Sequence, residues 1–137
     1  MAANSKFAVA VHALAVIAYH SDERHSSRAI AGSIATNPVV IRRLLSQLAK
    51  AGIVESAHGA KGGFTLAKPA AKISLLDVYH AVEDCGGLFA QHAKKNEKCP
   101  VACRMSDILK GVFSRVQSKI IPELKRTSVA DIVSQLG

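Results

Sequence analysis

The sequence predicts a mainly α-helical fold that carries one small two-stranded hairpin. Three observations lead there. Apolar residues recur at spacings of three and four along much of the 137-residue chain, the period of a helix with one buried face. Aromatics make up only 4% of a chain whose hydrophobic share is 49%, and much of that share is alanine, a balance that leans toward helix. The one stretch with strand character, IVESA followed by FTLA, is split by HGAKGG at 58–63, a glycine-rich tip of the kind that turns a hairpin.

Each element can be justified in order. Asn4 or Ser5 caps a first helix running to about His20, and Phe7, Val11, Leu14 and Ala18 form its buried face. His12, near that face, reads as a satisfied core histidine. SDERHSS is a polar connector. Ser26 or Ser27 caps a short helix, RAIAGSIAT, with Ile30 and Ile34 inward. Asn37 is the N-cap of the next helix, and Pro38 fits its first position, where a missing N–H costs nothing. Ile41, Leu44, Leu45 and Leu48 give a core stripe, Gly52 supplies the stop, and the outer face carries Arg42, Arg43, Ser46, Gln47 and Lys50. After the hairpin, Pro69 ends the second strand. Ser74 caps LLDVYHAVED with Asp77 in the capping-box position, and Leu76, Tyr79 and His80 cluster by spacing. Gly86 and Gly87 stop that helix, and 88–98 is a loop. A long helix follows from about Cys103 to Lys125, with Met105, Ile108, Leu109, Val112, Phe113, Val116 and Ile120 on one stripe. Pro122 is expected to kink or split it near its end. Ser128 restarts a last short helix, VADIVSQL.

Charge narrows the function. Residues 1–72 hold nine Lys/Arg against three Asp/Glu, a net +6, whereas 73–137 hold nine against seven, a net +2, together the +8 of the whole chain. A basic excess in the first half suits a polyanionic partner. No apolar run reaches the ~18–20 residues that span a bilayer, so no membrane role is expected. The N-terminal apolar stretch is read as a helix, not an export signal. Three cysteines, an odd number, fit a reduced cytoplasmic setting better than a disulfide framework.

The glycine loop decides between two readings. A phosphate-binding loop runs strand, glycine loop, helix, and ends in Lys-Ser or Lys-Thr. Here the loop is followed by a strand and Lys61 by Gly62, so that reading fails. Helix, short helix, turn, helix, hairpin is the order of a helix-turn-helix followed by a β-wing. In that frame the third helix is the recognition helix. Arg42 and Arg43 are candidates for bidentate contacts to guanine, Val39 and Val40 for a thymine methyl, and Asn37, Pro38 and Ser46 flank them. Ser27 and Arg28 at the start of the short helix join this set, as do His58, Gly59 and Lys61 at the wing tip, as donors to phosphate or the minor groove. Two adjacent arginines alone are equally a solvated face. The preceding helix, the capped turn and the wing turn the reading toward DNA. No nucleophile–base or acid–base constellation is present, so neither an enzyme nor a small-molecule substrate is expected. The alternative from another class is a winged-helix protein-interaction adaptor that does not bind DNA.

The stretch SSRAIAGSIATNPVVIRRLLSQLAKAGIVESAHGAKGGFTLAKPAAKISLLDVYHAVE closely resembles the Rrf2 family of bacterial winged-helix transcriptional regulators. Paired glycines before an aromatic in the wing, then ISLLDVYHAVE, are a distinctive combination, and the likeness extends to the FAVAV first helix and the long C-terminal helix. The family includes the iron–sulfur assembly regulator, the nitric-oxide-sensing repressor and the cysteine-metabolism repressor. The resemblance implies a homodimer on pseudo-palindromic promoter DNA, a long helix that crosses to the partner, and a signal sensed in the loop before it. On this reading 1–72 is the DNA-binding region. Residues 73–137 hold a linker helix, a sensor loop and a dimerisation helix with Met105, Leu109, Val112, Val116 and Ile120 at its seam, the whole forming one compact unit.

Three departures from the family pattern matter. His58 stands where the wing often has an arginine. Arg42 stands where some relatives carry an acid, so the operator cannot be carried over. Cluster-binding relatives space three cysteines five to seven residues apart, whereas here thirteen residues separate Cys85 from Cys99 and three separate Cys99 from Cys103. The cysteines therefore admit three readings. The helix entrance with Lys94, Lys95, Lys98 and Arg104 favours a reactive thiolate at Cys99 or Cys103. A soft metal or an iron–sulfur cluster could use Cys85, Cys99 and Cys103 with a fourth ligand such as His92. Or the three are ordinary residues, and the chain holds no cofactor.

Overall fold

The computed structural model describes residues 5–59, 62–83 and 97–137. They fall into two compact units, Met1–Glu83 with Leu124–Gly137, and Asp84–Glu123. The order is α1 (Ser5–Tyr19), α2 (Ser27–Ile34), α3 (Pro38–Lys50), β1 (Val54–Ala57), β2 (Gly63–Leu66), a 3-10 turn (Ala70–Lys72), α4 (Leu75–Val82), α5 (Pro100–Arg126) and α6 (Val129–Ser134). This is the mainly helical winged helix-turn-helix that the sequence predicts, with its long C-terminal helix.

In the first unit α1 is the central strut, packed on α2, α3, α4 and α6. Its core face is Ala10, Ala13, Leu14 and Ile17, all nearly inaccessible. The expected face is rotated accordingly. Phe7, Val11 and Ala18 are only partly buried and flank the core. His12 is exposed, not a core residue, with Nε2 3.5 Å from the Ser33 hydroxyl.

Local chemistry sets each helix start. Ser26, not Ser27, caps α2, its Oγ accepting from the Ala29 N–H at 3.1 Å. The helix ends at Ala35 in the left-handed region (φ +59°), a conformation that costs a residue with a Cβ roughly 1–2 kcal/mol. Asn37 Oδ1 accepts from the Val39 N–H at 2.8 Å, and Pro38 opens α3. Ile41, Leu44, Leu45 and Leu48 are buried. At roughly 1.5–3 kcal/mol per buried aliphatic side chain, this face holds α3 in place and leaves its other side unconstrained by packing.

Two capping boxes then set α4 and α6 side by side. Ser74 and Asp77 bond reciprocally at 3.0 and 3.1 Å, Ser128 and Asp131 at 2.9 and 3.1 Å. The two caps are stitched by Leu75 N–H to Thr127 O (2.8 Å) and Val129 N–H to Ile73 O (2.9 Å). Ile73, Val78, Val82 and Val129 share one core with Leu14 and Leu45. The buried face of α4 is Val78, Tyr79 and Val82, and His80 is exposed; the group Leu76, Tyr79 and His80 expected from spacing shares only Tyr79 with it. Tyr79 meets Phe7 edge-on at 5.9 Å. Burial, and then the Glu83 carboxylate, hold its phenol above the ordinary value.

The described part of the second unit is dominated by α5. It begins at Pro100 rather than near Cys103, since proline is pre-organised for the first helical position. Pro122 lies inside α5 and does not split it. The lost hydrogen bond falls at an exposed position, where water can serve the orphaned carbonyl.

Candidate nucleic-acid interface

The third helix presents two unlike faces. Opposite its leucines, Val39, Arg42, Arg43, Ser46 and Lys50 are exposed, at helical intervals of three, four and seven residues from Val39, with Lys50 a further turn on. No acidic residue lies in Pro38–Lys50, so the stripe has no internal counter-charge. Val39 is 53% exposed, while Val40 is half-buried and packs against the core. Of the two valines proposed for a thymine methyl, Val39 is the one that can reach outward. The Asn37 oxygen is occupied by its capping bond, which leaves the amide N–H groups as its donors. Ser27 and Arg28 open α2, with Arg28 exposed. Lys50, on the expected outer face but not in the expected contact set, shares the arginine stripe.

The wing is an antiparallel pair in the register Val54↔Leu66, Glu55↔Thr65, Ser56↔Phe64 and Ala57↔Gly63. His58 and Gly59 are exposed at its tip, Gly59 with φ +100°. Lys61 lies outside the described residues. Gly62 donates to Gly59 O at 3.0 Å, and a side chain there would collide with the Ala57 carbonyl.

The base of the wing carries a feature that sequence patterns did not reveal. His25, in the connector between α1 and α2, pairs with Phe64 in an isolated antiparallel bridge: His25 N–H to Phe64 O at 3.1 Å, Phe64 N–H to His25 O at 2.8 Å. Its ring is buried, with Nε2 3.0 Å from the His20 carbonyl. Gly63 has φ +144° and lies so close that a Cβ would stand 2.8 Å from the His25 oxygen. The hairpin is thus fastened to the connector that leads into α2, which fixes the wing relative to the helix-turn-helix.

Of the expected sensor residues, Cys99 and Cys103 are described, both half-buried and neither in a disulfide. Cys85 and His92 lie outside the described residues. Among the described residues no three His, Cys, Asp or Glu side chains come together to hold a metal ion.

A helix-turn-helix with a capped, arginine-bearing third helix and a fastened wing defines a winged-helix transcriptional regulator. The chain belongs to the Rrf2 family: residues 3–135 match the family model, described as an iron-dependent transcriptional regulator. It is 44% identical over 133 residues to YwnA of Bacillus subtilis strain 168, named as a HTH-type transcriptional regulator, covering 97% of this chain and 98% of that one. A solved structure described as a DNA-binding protein is 40% identical, with a TM-score of 0.73 over 93% of this chain and 98% of that one. IscR of T. potens shares the fold, with a TM-score of 0.74 at 24% identity over 100% of this chain and 89% of that one. The family description implies iron. An iron–sulfur cluster takes three or four thiolate or imidazole ligands from the protein; of the candidate ligands only Cys99 and Cys103 are among the described residues.

Proposed function

We propose that this regulator acts as a homodimer that binds a pseudo-palindromic operator, each copy reading one half-site. The exposed basic stripe of α3 carries the reading. Arg42 and Arg43 face solvent from a helix anchored by four buried aliphatic residues, and such a helix can enter a major groove without moving its core. Ser27, Arg28 and the wing tip at His58, Gly59 and Lys61 serve the phosphates on either side.

Dimerisation rests on unsatisfied apolar surface. None of the 27 residues of α5 is buried. Met105, Ile108 and Val116 are 40%, 55% and 38% exposed, and with Leu109, Val112 and Ile120 they follow the spacing of a helix seam. The first unit also has an open apolar groove of about 800 Å³ lined by Phe7, Val11, Val16, Tyr19, Ile132 and Leu136 among others. A homodimer covers such surfaces. The cysteines at the start of α5 are the proposed receiver of a redox or metal signal, with Cys85 as the third member.

The test is selection of binding sites from random duplex DNA, followed by sedimentation of the complex. Enrichment of an inverted repeat bound by two copies, with half-sites about one helical turn or a small multiple apart, supports the proposal. No enriched sequence, with binding to random DNA alone, would leave the adaptor reading in its place.

A further inference from the structure

Val39 stands on α3 where packing gives it no reason to be apolar. Counted from Val39 at about 100° per residue, the buried Ile41, Leu44, Leu45 and Leu48 all lie within about 60° of the opposite direction. On the same count the exposed Arg42, Arg43, Ser46 and Lys50 lie within about 60° of Val39 itself. Val39 is thus the centre of the basic stripe, and at 53% exposure it is the one apolar side chain on it. Among the described residues, the other exposed large apolar side chains lie on α5 or line the apolar groove. Its backbone is fixed: the Val39 N–H donates to Asn37 Oδ1 at 2.8 Å, and Pro38 sets the first turn. A β-branched side chain has one strongly preferred rotamer in a helix, so its two methyls are presented to solvent in one orientation.

A helix face that enters a major groove meets mostly hydrogen-bonding atoms of the base edges. The one apolar feature there is the C5 methyl of thymine. Arginine, lysine and serine match the polar atoms. Valine does not: set against a base oxygen or nitrogen it displaces water without replacing the hydrogen bonds of that water. Set against a methyl it buries apolar surface on both partners. Recognition helices contact bases with their N-terminal residues, and Val39 is the second residue of α3. Arg42 stands one turn further on, about 4.5 Å along the axis, and base pairs stack about 3.4 Å apart. A methyl under Val39 and a guanine under Arg42 or Arg43 therefore fall within about two base pairs of each other.

We propose that Val39 is a specificity-determining residue of the operator half-site and selects a thymine, by its C5 methyl, close to the guanine read by Arg42 or Arg43. The chemistry recognised is the 5-methylpyrimidine edge, which thymine carries always and cytosine only when it is methylated. The arginines supply the polar part of the reading, and Val39 decides thymine over unmethylated cytosine at its own position. A homodimer places one Val39 on each half-site, so the preference enters twice. The proposal rests on the reading of α3 as a DNA-reading helix, and it names the base that the centre of the stripe selects.

The experiment uses the full-length protein and the duplex enriched from random DNA. Each thymine is replaced by deoxyuridine, one position at a time and in both half-sites together. The change removes the methyl and keeps the pairing edge; affinity is read by fluorescence anisotropy. At one position the wild-type protein should weaken about fourfold per half-site, the effect of burying one methyl group, and so about fifteenfold for the pair. Cytosine at that position should bind less tightly than 5-methylcytosine by a similar factor. Val39→Ser should bind the thymine and deoxyuridine duplexes alike while still discriminating against replacement of the guanines. Val39→Thr, which keeps one methyl, should retain part of the preference. Circular dichroism confirms that both variants are folded, as expected for an exposed position. A wild-type protein indifferent to deoxyuridine at every position would overturn the proposal, and so would the wild-type ratio in Val39→Ser. Enrichment of no sequence at all would remove the DNA reading and the proposal with it, a failure distinct from tight operator binding that ignores the methyl.

Discussion

Replacing Gly63 by alanine tests whether the wing is fastened at its base. Two costs combine. Gly63 has φ +144°, a region populated almost only by glycine, and a residue with a Cβ there costs about 1–3 kcal/mol. The new Cβ would also stand 2.8 Å from the His25 oxygen and 2.9 Å from its carbonyl carbon, both backbone atoms that cannot rotate away. The contact must open, which weakens the two His25–Phe64 hydrogen bonds at roughly 0.5–1.5 kcal/mol each. The sum is about 2–6 kcal/mol. For a chain of this size each kcal/mol lowers Tm by about 3–5 °C, so a fall on the order of 10 °C is expected in thermal denaturation at fixed protein concentration. Gly52→Ala is the control: it has φ +77° but nothing within 4 Å of the added Cβ, so only the backbone strain remains and the fall should be clearly smaller. Equal shifts in the two variants, or a Tm for Gly63→Ala within a degree of wild type, would refute the fastened wing.

Other substitutions probe the remaining links. Ala35→Gly should stabilise the protein by about 1 kcal/mol, because it relieves the left-handed cap of α2; chemical denaturation reads this as a higher midpoint at unchanged slope. Arg42→Ala and Arg43→Ala should each weaken operator binding by ~1–3 kcal/mol if the residue is bidentate to guanine, while equal losses on random and selected DNA would make them phosphate contacts. Lys61→Ala should weaken all sequences alike and reduce the salt slope by about one. Val112→Asp should dissociate the dimer in sedimentation and abolish operator binding; a monomer that still binds with full affinity would count against the seam.

How far the fold was legible depends on what kind of signal each element emits. Caps and turns are local, and they could be read residue by residue: Asn37 with Pro38, Ser74 with Asp77 and Ser128 before α6 stand where their side-chain chemistry places them. Core faces are less local. In α1 nearly every residue is apolar, so periodicity hardly distinguishes Phe7–Val11–Ala18 from Ala10–Ala13–Ile17. The choice is made by neighbours in α2 and α4 that the helix's own sequence does not contain. That Pro122 does not split α5 has a related reason. Its intrinsic cost of ~3 kcal/mol is a local quantity, whereas the continuity of α5 sums many hydrogen bonds on either side of it.

The exposed basic stripe of α3 was legible because the helix is strongly two-faced. Four buried aliphatic residues fix its rotation, and the positions left over must face outward, so Arg42, Arg43 and Ser46 follow from the leucines without further information. Val40 shows the limit of that logic, since a valine beside the stripe is equally at home against the core and only packing decides. The His25–Phe64 bridge was not legible at all. It joins a connector to a strand 39 positions away through backbone atoms, which carry no side-chain signature. What the sequence did hold was its shadow in Gly62-Gly63: two successive glycines where one suffices to turn a hairpin. The second is there because the backbone of His25 in the connector occupies the space its side chain would need. A glycine in excess of what the turn requires is thus evidence of a neighbour, and here that neighbour ties the wing to the connector leading into the helix-turn-helix.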